Sequence, residues 1–202
     1  MRGCVGVVSA VDMRVALIST VPPGSRGSMG VYGELVAAAL EAHAPQVQYE
    51  PVLLQQATAN SGAGVIGRAE TLMSILRARA GSRKVRADAY HLLDGSFGFL
   101  ATGLPLLRTL VTVHDLIPAL QVTGRFPVQR PGWAARRLIA TSLDLISRAG
   151  AVHADSTSTA QDVQELTGRR VEAVVPLPVR PLPKLSDPPP SAAPWLLHVG
   201  NN

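Results

Sequence analysis

The sequence predicts an α/β protein built on a doubly wound, largely parallel sheet, and three observations support this fold class. Short apolar runs alternate with segments of helical periodicity along most of the 202 residues. Several of these runs are almost continuously apolar, as expected of parallel strands that are covered on both faces. With 47% hydrophobic and 16% charged residues, the composition is that of a globular protein with a sizeable core.

The strands are predicted from apolar runs that stop at turn-forming residues. Residues 14–19 (RVALIS) form such a run, which the sequence VPPG at 21–24 brings to an end. Five further strands are predicted over residues 47–54, 87–93, 107–113, 151–154 and 171–175.

The helices are predicted from a 3.6-residue apolar period and from the residues at their ends. Residues 31–43 place apolar side chains on one face, and Pro45 closes the helix. Further helices are predicted over 65–80, over 133–149 and from Ser156 or Ser158 to Leu166, with capping glycines at Gly81, Gly150 and Gly168. Strands and helices that alternate in this way are typical of a Rossmann-like domain.

The chain is expected to hold one domain and the beginning of another. Residues 1–12 are a possible N-terminal extension, and residues 13–176 form the Rossmann-like domain. Residues 177–194 are rich in proline and are predicted to be a semi-rigid linker. Residues 195–202 (WLLHVGNN) are expected to be the first strand of a truncated second domain, because a strand cannot stand without partners.

The composition excludes several classes of protein. No apolar run reaches the ~18 residues that span a membrane, and the N-terminus has no signal-peptide pattern, so a cytoplasmic location is expected. A single cysteine, Cys4, excludes a disulfide scaffold and a zinc module. With 4% aromatic residues, the chain offers little for nucleic-acid bases to stack on.

The net charge of +5 is spread thinly, except for one basic stretch at Arg77, Arg79, Arg83, Lys84 and Arg86. We interpret it as a solvated helix C-terminus, which the helix dipole favours. Peripheral contact with anionic lipid headgroups, at the inner face of a membrane, is the alternative.

Candidate site residues follow from their position in the sheet. In open α/β sheets, ligands bind beyond the carboxyl ends of the strands, where the strand order reverses. The sequence VTVHDLIP (111–118) brings His114 and Asp115 to this edge. The alternative is that His114 bonds to a neighbouring loop and Asp115 caps a turn. His153 is interpreted as packed on its strand, and Asp155 with Ser156 as caps of the next helix.

The glycine-containing loop 24–30 precedes a helix whose free N–H groups favour an anion, with a plain flexible turn as the alternative. Its glycine spacing is not G-x-G-x-x-G, and no P-loop lysine is present, so nicotinamide binding is disfavoured. No G-x-S-x-G motif supplies a hydrolase nucleophile. No second histidine or carboxylate cluster is near His114 in the sequence, so no metal is expected.

Seven segments, taken in order, resemble the family 4 glycosyltransferases over residues 13–202: MRVALIS, SMGVYGELVAAAL, LLDGSFG, TLVTVHDLIPAL, AGAVHADSTSTAQDVQELTG, VEAVVPLPV and PWLLHVGNN. The resemblance implies a retaining enzyme with two Rossmann-like domains, which transfers a mannose-like hexose from a nucleotide sugar to a glycan or lipid-linked acceptor. It implies no metal and no cofactor besides the donor substrate.

The resemblance also assigns roles to individual residues. It places His114 near the transferred sugar as the catalytic residue. Asp115, at the same strand end, is a candidate substrate-binding residue. The residues assigned to donor diphosphate and acceptor are Gly27, Ser28, Gly30 and Tyr32, with Asp94 and Ser96 on the acceptor side. Ser28 departs from the family, since many relatives have glycine there.

Most donor contacts of this family come from the second domain, so the fragment is expected to be inactive alone. Two alternatives remain open. One is a non-catalytic binding module for a small anion or a partner domain. The other is a nucleotide-dependent enzyme of another class, such as a dehydrogenase or an epimerase.

Overall fold

The computed structural model describes residues 13–22, 24–25, 27–54, 65–126 and 130–177. Within these residues the chain forms one six-stranded sheet with the order β2-β1-β3-β4-β5-β6, and every neighbouring pair is parallel. Helices flank the sheet on both faces. The predicted α/β class, with a doubly wound, Rossmann-like parallel sheet, is confirmed. The predicted extension at 1–12, most of the linker and the strand at 195–202 lie outside the described residues.

The strands are β1 (Met13–Ser19), β2 (Val47–Leu53), β3 (Ala89–Leu92), β4 (Thr109–Val113), β5 (Ala151–Ala154) and β6 (Ala173–Val174). Each of them falls within or close to a predicted run. The prediction of a strand over 171–175 was too long, because only two residues pair with β5. The prediction that β4 starts at residue 107 was also wrong, since Leu106–Arg108 form a 3-10 turn.

The helices are α1 (Ser28–His43), α2 (Val65–Ser82), α3 (Ile117–Thr123), α4 (Trp133–Arg148) and α5 (Thr157–Thr167). A 3-10 helix spans Gly95–Leu100. The sequence did not predict this 3-10 helix or α3. Neither is longer than two turns, so neither shows a helical period. None of the helices in the described residues is long and apolar enough to cross a membrane.

Helix α5 begins and ends at the capping residues that the sequence predicted, whereas α2 does not end at its predicted cap. Ser156 is the N-cap of α5 and accepts a hydrogen bond from the Thr159 amide at 3.1 Å. Gly168 ends α5 with a φ of 73°, which glycine adopts at little cost. Gly81 was predicted to cap α2, but it lies inside the helix. The helix ends at the buried Ser82, whose hydroxyl accepts a hydrogen bond from the Gly103 amide at 3.1 Å.

The direction of the strand order reverses between β1 and β3, which defines the switch point of the sheet. Right-handed crossovers then place α1 on one face and the later helices on the other. The larger core, on the face of α2, α4 and α5, includes Ile18, Leu92, Val111, Ile146 and Val163. A smaller core beneath α1 is formed by Leu17, Tyr32 and Leu93. The carboxyl ends of β1, β3, β4 and β5 therefore meet at one edge, beside the start of α1.

Candidate functional site at the carboxyl edge of the sheet

His114 follows β4 and lies between three neighbouring elements. Its Nε2 is 2.9 Å from the carbonyl oxygen of Leu93, and its Nδ1 is 3.3 Å from Oδ2 of Asp155. The ring meets that of Tyr32 from α1 edge to face, with the centroids 4.7 Å apart. Because a carbonyl oxygen only accepts, Nε2 carries a proton and donates it to Leu93. Both ring nitrogens are therefore engaged within the chain.

The prediction that Asp155 and Ser156 cap the next helix is confirmed for Ser156 and wrong for Asp155. Ser156 alone is the N-cap, whereas the Asp155 carboxylate faces His114 and also accepts a hydrogen bond from the Thr159 hydroxyl at 3.2 Å. The side chains of His114 and Asp155 are 13% and 15% exposed, so the pair is largely shielded but reaches solvent. The two residues stand 41 positions apart in the chain.

Asp115, by contrast, points away from this pair. It is exposed, and its Oδ1 accepts a hydrogen bond from the Ile117 amide at 3.1 Å, which caps the turn into α3. The structure thus matches both parts of the alternative interpretation: His114 bonds to the loop after β3, and Asp115 caps a turn.

Asp94 and Ser96 lie on the same rim, and each helps to build the loop that carries it. Asp94 Oδ1 accepts a hydrogen bond from the Ser96 amide at 2.9 Å at the start of the 3-10 helix. The Ser96 hydroxyl donates to the Asp115 carbonyl at 3.4 Å. Burial raises the pKa of the Asp94 carboxyl above its ordinary value, although the Ser96 amide opposes the change.

Helix α1 begins at Ser28, three residues before its predicted start, so only Gly27 of the four residues predicted to bind donor and acceptor precedes it. Gly27, the N-cap, and Ser28 are exposed. Gly30 and Tyr32 are buried instead. A Cβ on Gly30 would lie 2.3 Å from the carbonyl oxygen of Ser25, so the close approach that this glycine permits is made by the chain's own loop.

Beneath the rim lies a polar network that the sequence did not predict, centred on the hydroxyl of Thr112. This oxygen is 2.8 Å from Nε2 of His91, 3.0 Å from Nε2 of His153 and 3.1 Å from the hydroxyl of Tyr32. A threonine hydroxyl donates one hydrogen bond and accepts two. The proton positions on the three partners are therefore coupled through Thr112.

Burial disfavours the charged form of both histidines in this network. Burial lowers the pKa of His91 to about 3, and the nearby His153 and His114 act in the same direction. Burial also lowers the pKa of His153 and raises that of the Tyr32 hydroxyl. His153 was interpreted as simply packed, but its Nε2 binds Thr112 and its buried Nδ1 has no partner among the described residues.

One sequence pattern marks two residues of this network: a polar residue flanked by apolar residues on a strand. Thr112 lies between Val111 and Val113, and His91 between Tyr90 and Leu92. A polar residue between two buried apolar ones on a strand faces the opposite side of the sheet. The register of β4 and β5 then places Thr112 directly beside His153.

The described residues contain no group of three or more His, Cys, Asp or Glu side chains placed to hold a metal ion. No protein-family model matches the chain, and a search of curated proteins gives no significant match. The fold and the site together define a doubly wound α/β protein with a shielded His–Asp pair at the rim and a His–Thr–His network below it.

Proposed function

We propose that the chain contains the acceptor-side domain of a retaining glycosyltransferase, which transfers a mannose-like hexose from a nucleotide sugar to a glycan or lipid-linked acceptor. The observation that carries the proposal is the position of His114, at the rim beside the switch point and in contact with Tyr32 from α1. The sequence motifs that resemble family 4 glycosyltransferases supply the reaction class.

In this proposal the rim performs two tasks. The exposed start of α1, at Gly27 and Ser28, faces the departing diphosphate, because the N-terminus of a helix stabilises negative charge. His114 donates a hydrogen bond near the anomeric centre after exchanging one of its present partners, and Asp155 orients the ring through Nδ1. Charge stabilisation and exclusion of water need a second wall to the cleft, which the resemblance assigns to a second domain.

The test uses the longest natural polypeptide that contains these residues, incubated with nucleotide-hexose donors and glycan or lipid-linked acceptors. We expect transfer with retention of anomeric configuration, and we expect His114→Ala to lower kcat by about 100-fold or more, the usual cost of losing one such donor. His43→Ala, at the exposed end of α1, is the matched control. Wild-type kcat in His114→Ala, or no transfer from any donor, contradicts the proposal.

A second candidate is a non-catalytic module that binds a small anion. The engagement of both His114 nitrogens within the chain favours it, since the ring then serves to join loops rather than to meet a substrate. Titration with inorganic pyrophosphate, followed by NMR at the Gly27 and Ser28 amides, separates the two. Saturable shifts in a full-length protein that lacks transfer support the module, whereas turnover excludes it.

We also propose peripheral contact with an anionic membrane surface, through α2. Leu72, Met73 and Leu76 are 57%, 48% and 47% exposed on this helix, and Arg77 lies on the same side. Arg83 and Lys84 follow at its end and are exposed. Arg79 does not belong to this surface, because its Nε donates to the Phe99 carbonyl at 2.8 Å.

Vesicle flotation tests this contact. We expect binding to phosphatidylglycerol vesicles that salt weakens, little binding to phosphatidylcholine, and about a tenfold loss with Leu76→Ser, since one exposed leucine no longer inserts. Leu107→Ser is the matched control, because Leu107 is 87% exposed and lies outside α2. Equal effects of the two substitutions would exclude α2 as the contact surface.

A further inference from the structure

A cavity of about 310 Å³ lies between α1 and the ends of β1 and β2. Its size is at the lower end of the roughly 300–1,000 Å³ that is usual for small-molecule sites. Apolar side chains from the sheet, the loop after β1 and α1 form most of its wall, among them Leu17, Val21, Met29, Pro51, Leu53 and Leu93.

The cavity arises from small residues on one side of α1. Gly30, Gly33 and Ala37 line it, and Ala37 also packs, with Val36 and Leu40, against the small core beneath the helix. A Cβ on Gly33 would meet its nearest neighbour, a Leu93 methyl, at 3.4 Å, which is an ordinary contact. Packing therefore does not require glycine at position 33. Because Gly33 has no side chain, it leaves more room in the cavity.

The polar groups of the wall offer little to a polar ligand. The Ser19 hydroxyl donates to the Val21 carbonyl at 2.9 Å and accepts from the Val21 amide at 3.0 Å. The Tyr49 hydroxyl donates to Glu41. Glu34 is solvent-exposed. A ligand inside the cavity gains mainly from the burial of apolar surface.

The cavity also adjoins the rim. Leu93 lines it with its side chain and binds Nε2 of His114 with its carbonyl oxygen. Gly30 lines it at the start of α1, two residues before Tyr32. A molecule held here by an apolar group would extend its polar end towards the switch point of the sheet.

We propose that this cavity is a binding site for a hydrocarbon group, such as the alkyl chain of a lipid or of a smaller amphiphile. The inference is independent of glycosyl transfer, because it rests on the shape and chemistry of the cavity. It places an apolar ligand between α1 and β2, with its polar end at the rim.

The test is a titration of the full chain with linear alcohols from butanol to decanol, followed through the methyl resonance of Met29. We expect saturable shifts at Met29, with affinity rising roughly fourfold for each added methylene until the cavity is filled. The methyl group of Met73, which is 48% exposed on α2, serves as the internal control and is expected to stay unshifted. Equal shifts at both methyl groups, or affinity independent of chain length, would overturn the proposal.

A pair of variants tests the location. Ala37→Leu fills the cavity and is expected to abolish the shifts, whereas Ala38→Leu adds the same side chain to an exposed position of α1 and is expected to leave them intact. Undiminished binding in Ala37→Leu contradicts the assignment. So does a lack of binding in the wild-type chain.

A final experiment identifies the source of the hydrocarbon. With neutral phosphatidylcholine vesicles, flotation that Ala37→Leu weakens and Ala38→Leu does not indicates a chain drawn from a bilayer. Binding of soluble alcohols without flotation indicates a free amphiphile. Leu76→Ser is expected to leave the alcohol titration unchanged, which separates this site from the surface of α2.

Discussion

The two faces of the sheet carry different chemistry at the same level of the same strands. The face towards α2, α4 and α5 presents Leu92, Val111 and Val152, and the face towards α1 presents their immediate neighbours His91, Thr112 and His153. Apolar packing is non-directional and tolerates small shifts. Removing one member of a buried polar network leaves its partners unsatisfied, which is costly in a low dielectric. The comparison shows that one strand can supply a packing surface on one side and a hydrogen-bonding surface on the other.

The largest expected effect comes from Thr112→Val, which removes the centre of the network and keeps its shape. Tyr32, His91 and His153 would each lose a hydrogen-bond partner, and each buried unsatisfied group costs about 1–3 kcal/mol. We expect the free energy of unfolding to fall by about 3 kcal/mol or more, measured by urea denaturation.

Thr109→Val is the matched control for this prediction. Thr109 is equally buried on β4, and its hydroxyl donates a hydrogen bond to the Pro105 carbonyl at 3.0 Å. We expect a loss of about 1 kcal/mol. Equal losses in the two variants would show that Thr112 is not the centre of a coupled network.

The next effect is a dependence of stability on pH. The unfolded chain binds a proton on His91 below about pH 6.5, whereas the folded chain does not until about pH 3. Acid therefore favours the unfolded state within this window. The contribution of His91 falls by about 1.4 kcal/mol for each pH unit below 6.5.

His91→Gln isolates this contribution, since glutamine keeps a polar side chain that does not titrate. We expect the variant to lose less stability than the wild type between pH 6 and pH 5, as measured by chemical denaturation at each pH. His43→Gln, on the exposed end of α1, is the control and should leave the wild-type slope unchanged. Identical slopes in all three proteins would place a charged or exposed imidazole at position 91.

The smallest effects distinguish two glycines of α1 and test how tightly that helix packs. Gly33→Ala is expected to raise the free energy of unfolding by about 0.5–1 kcal/mol, because alanine fits and loses less backbone entropy on folding. Gly30→Ala is expected to lower it, since its Cβ would meet the Ser25 carbonyl at 2.3 Å. Thermal unfolding of both variants checks the opposite signs.

Local patterns were sufficient for most of the architecture. The strand at 151–154 has the predicted bounds, and α5 is capped by Ser156 and Gly168 as the sequence indicated. The apolar period and the helix caps depend on residues that are close together in the sequence, so the sequence predicts them. The 3-10 helix Gly95–Leu100 was not predicted, because it is too short for a period and is held by distant contacts, such as that of Ser142 with the Phe99 amide.

The candidate site was predictable only in part. The position of His114 after a buried strand indicated the rim, and the turn formed by Asp115 was foreseen as an alternative. The partner Asp155 was assigned to a cap, because a local interpretation was available and the true contact spans 41 residues. The Thr112 network was not predicted for the same reason, since its members come from α1, β3, β4 and β5.

The sequence by itself determined the class of the sheet, the succession of its elements and the residues that reach its carboxyl edge, because these depend on hydrophobic period and backbone preference within short segments. Only the tertiary structure decided which polar side chains meet across strands, and which residues leave a cavity beneath α1. Those outcomes depend on register and on the distance between layers, and both are set by contacts between segments far apart in the chain.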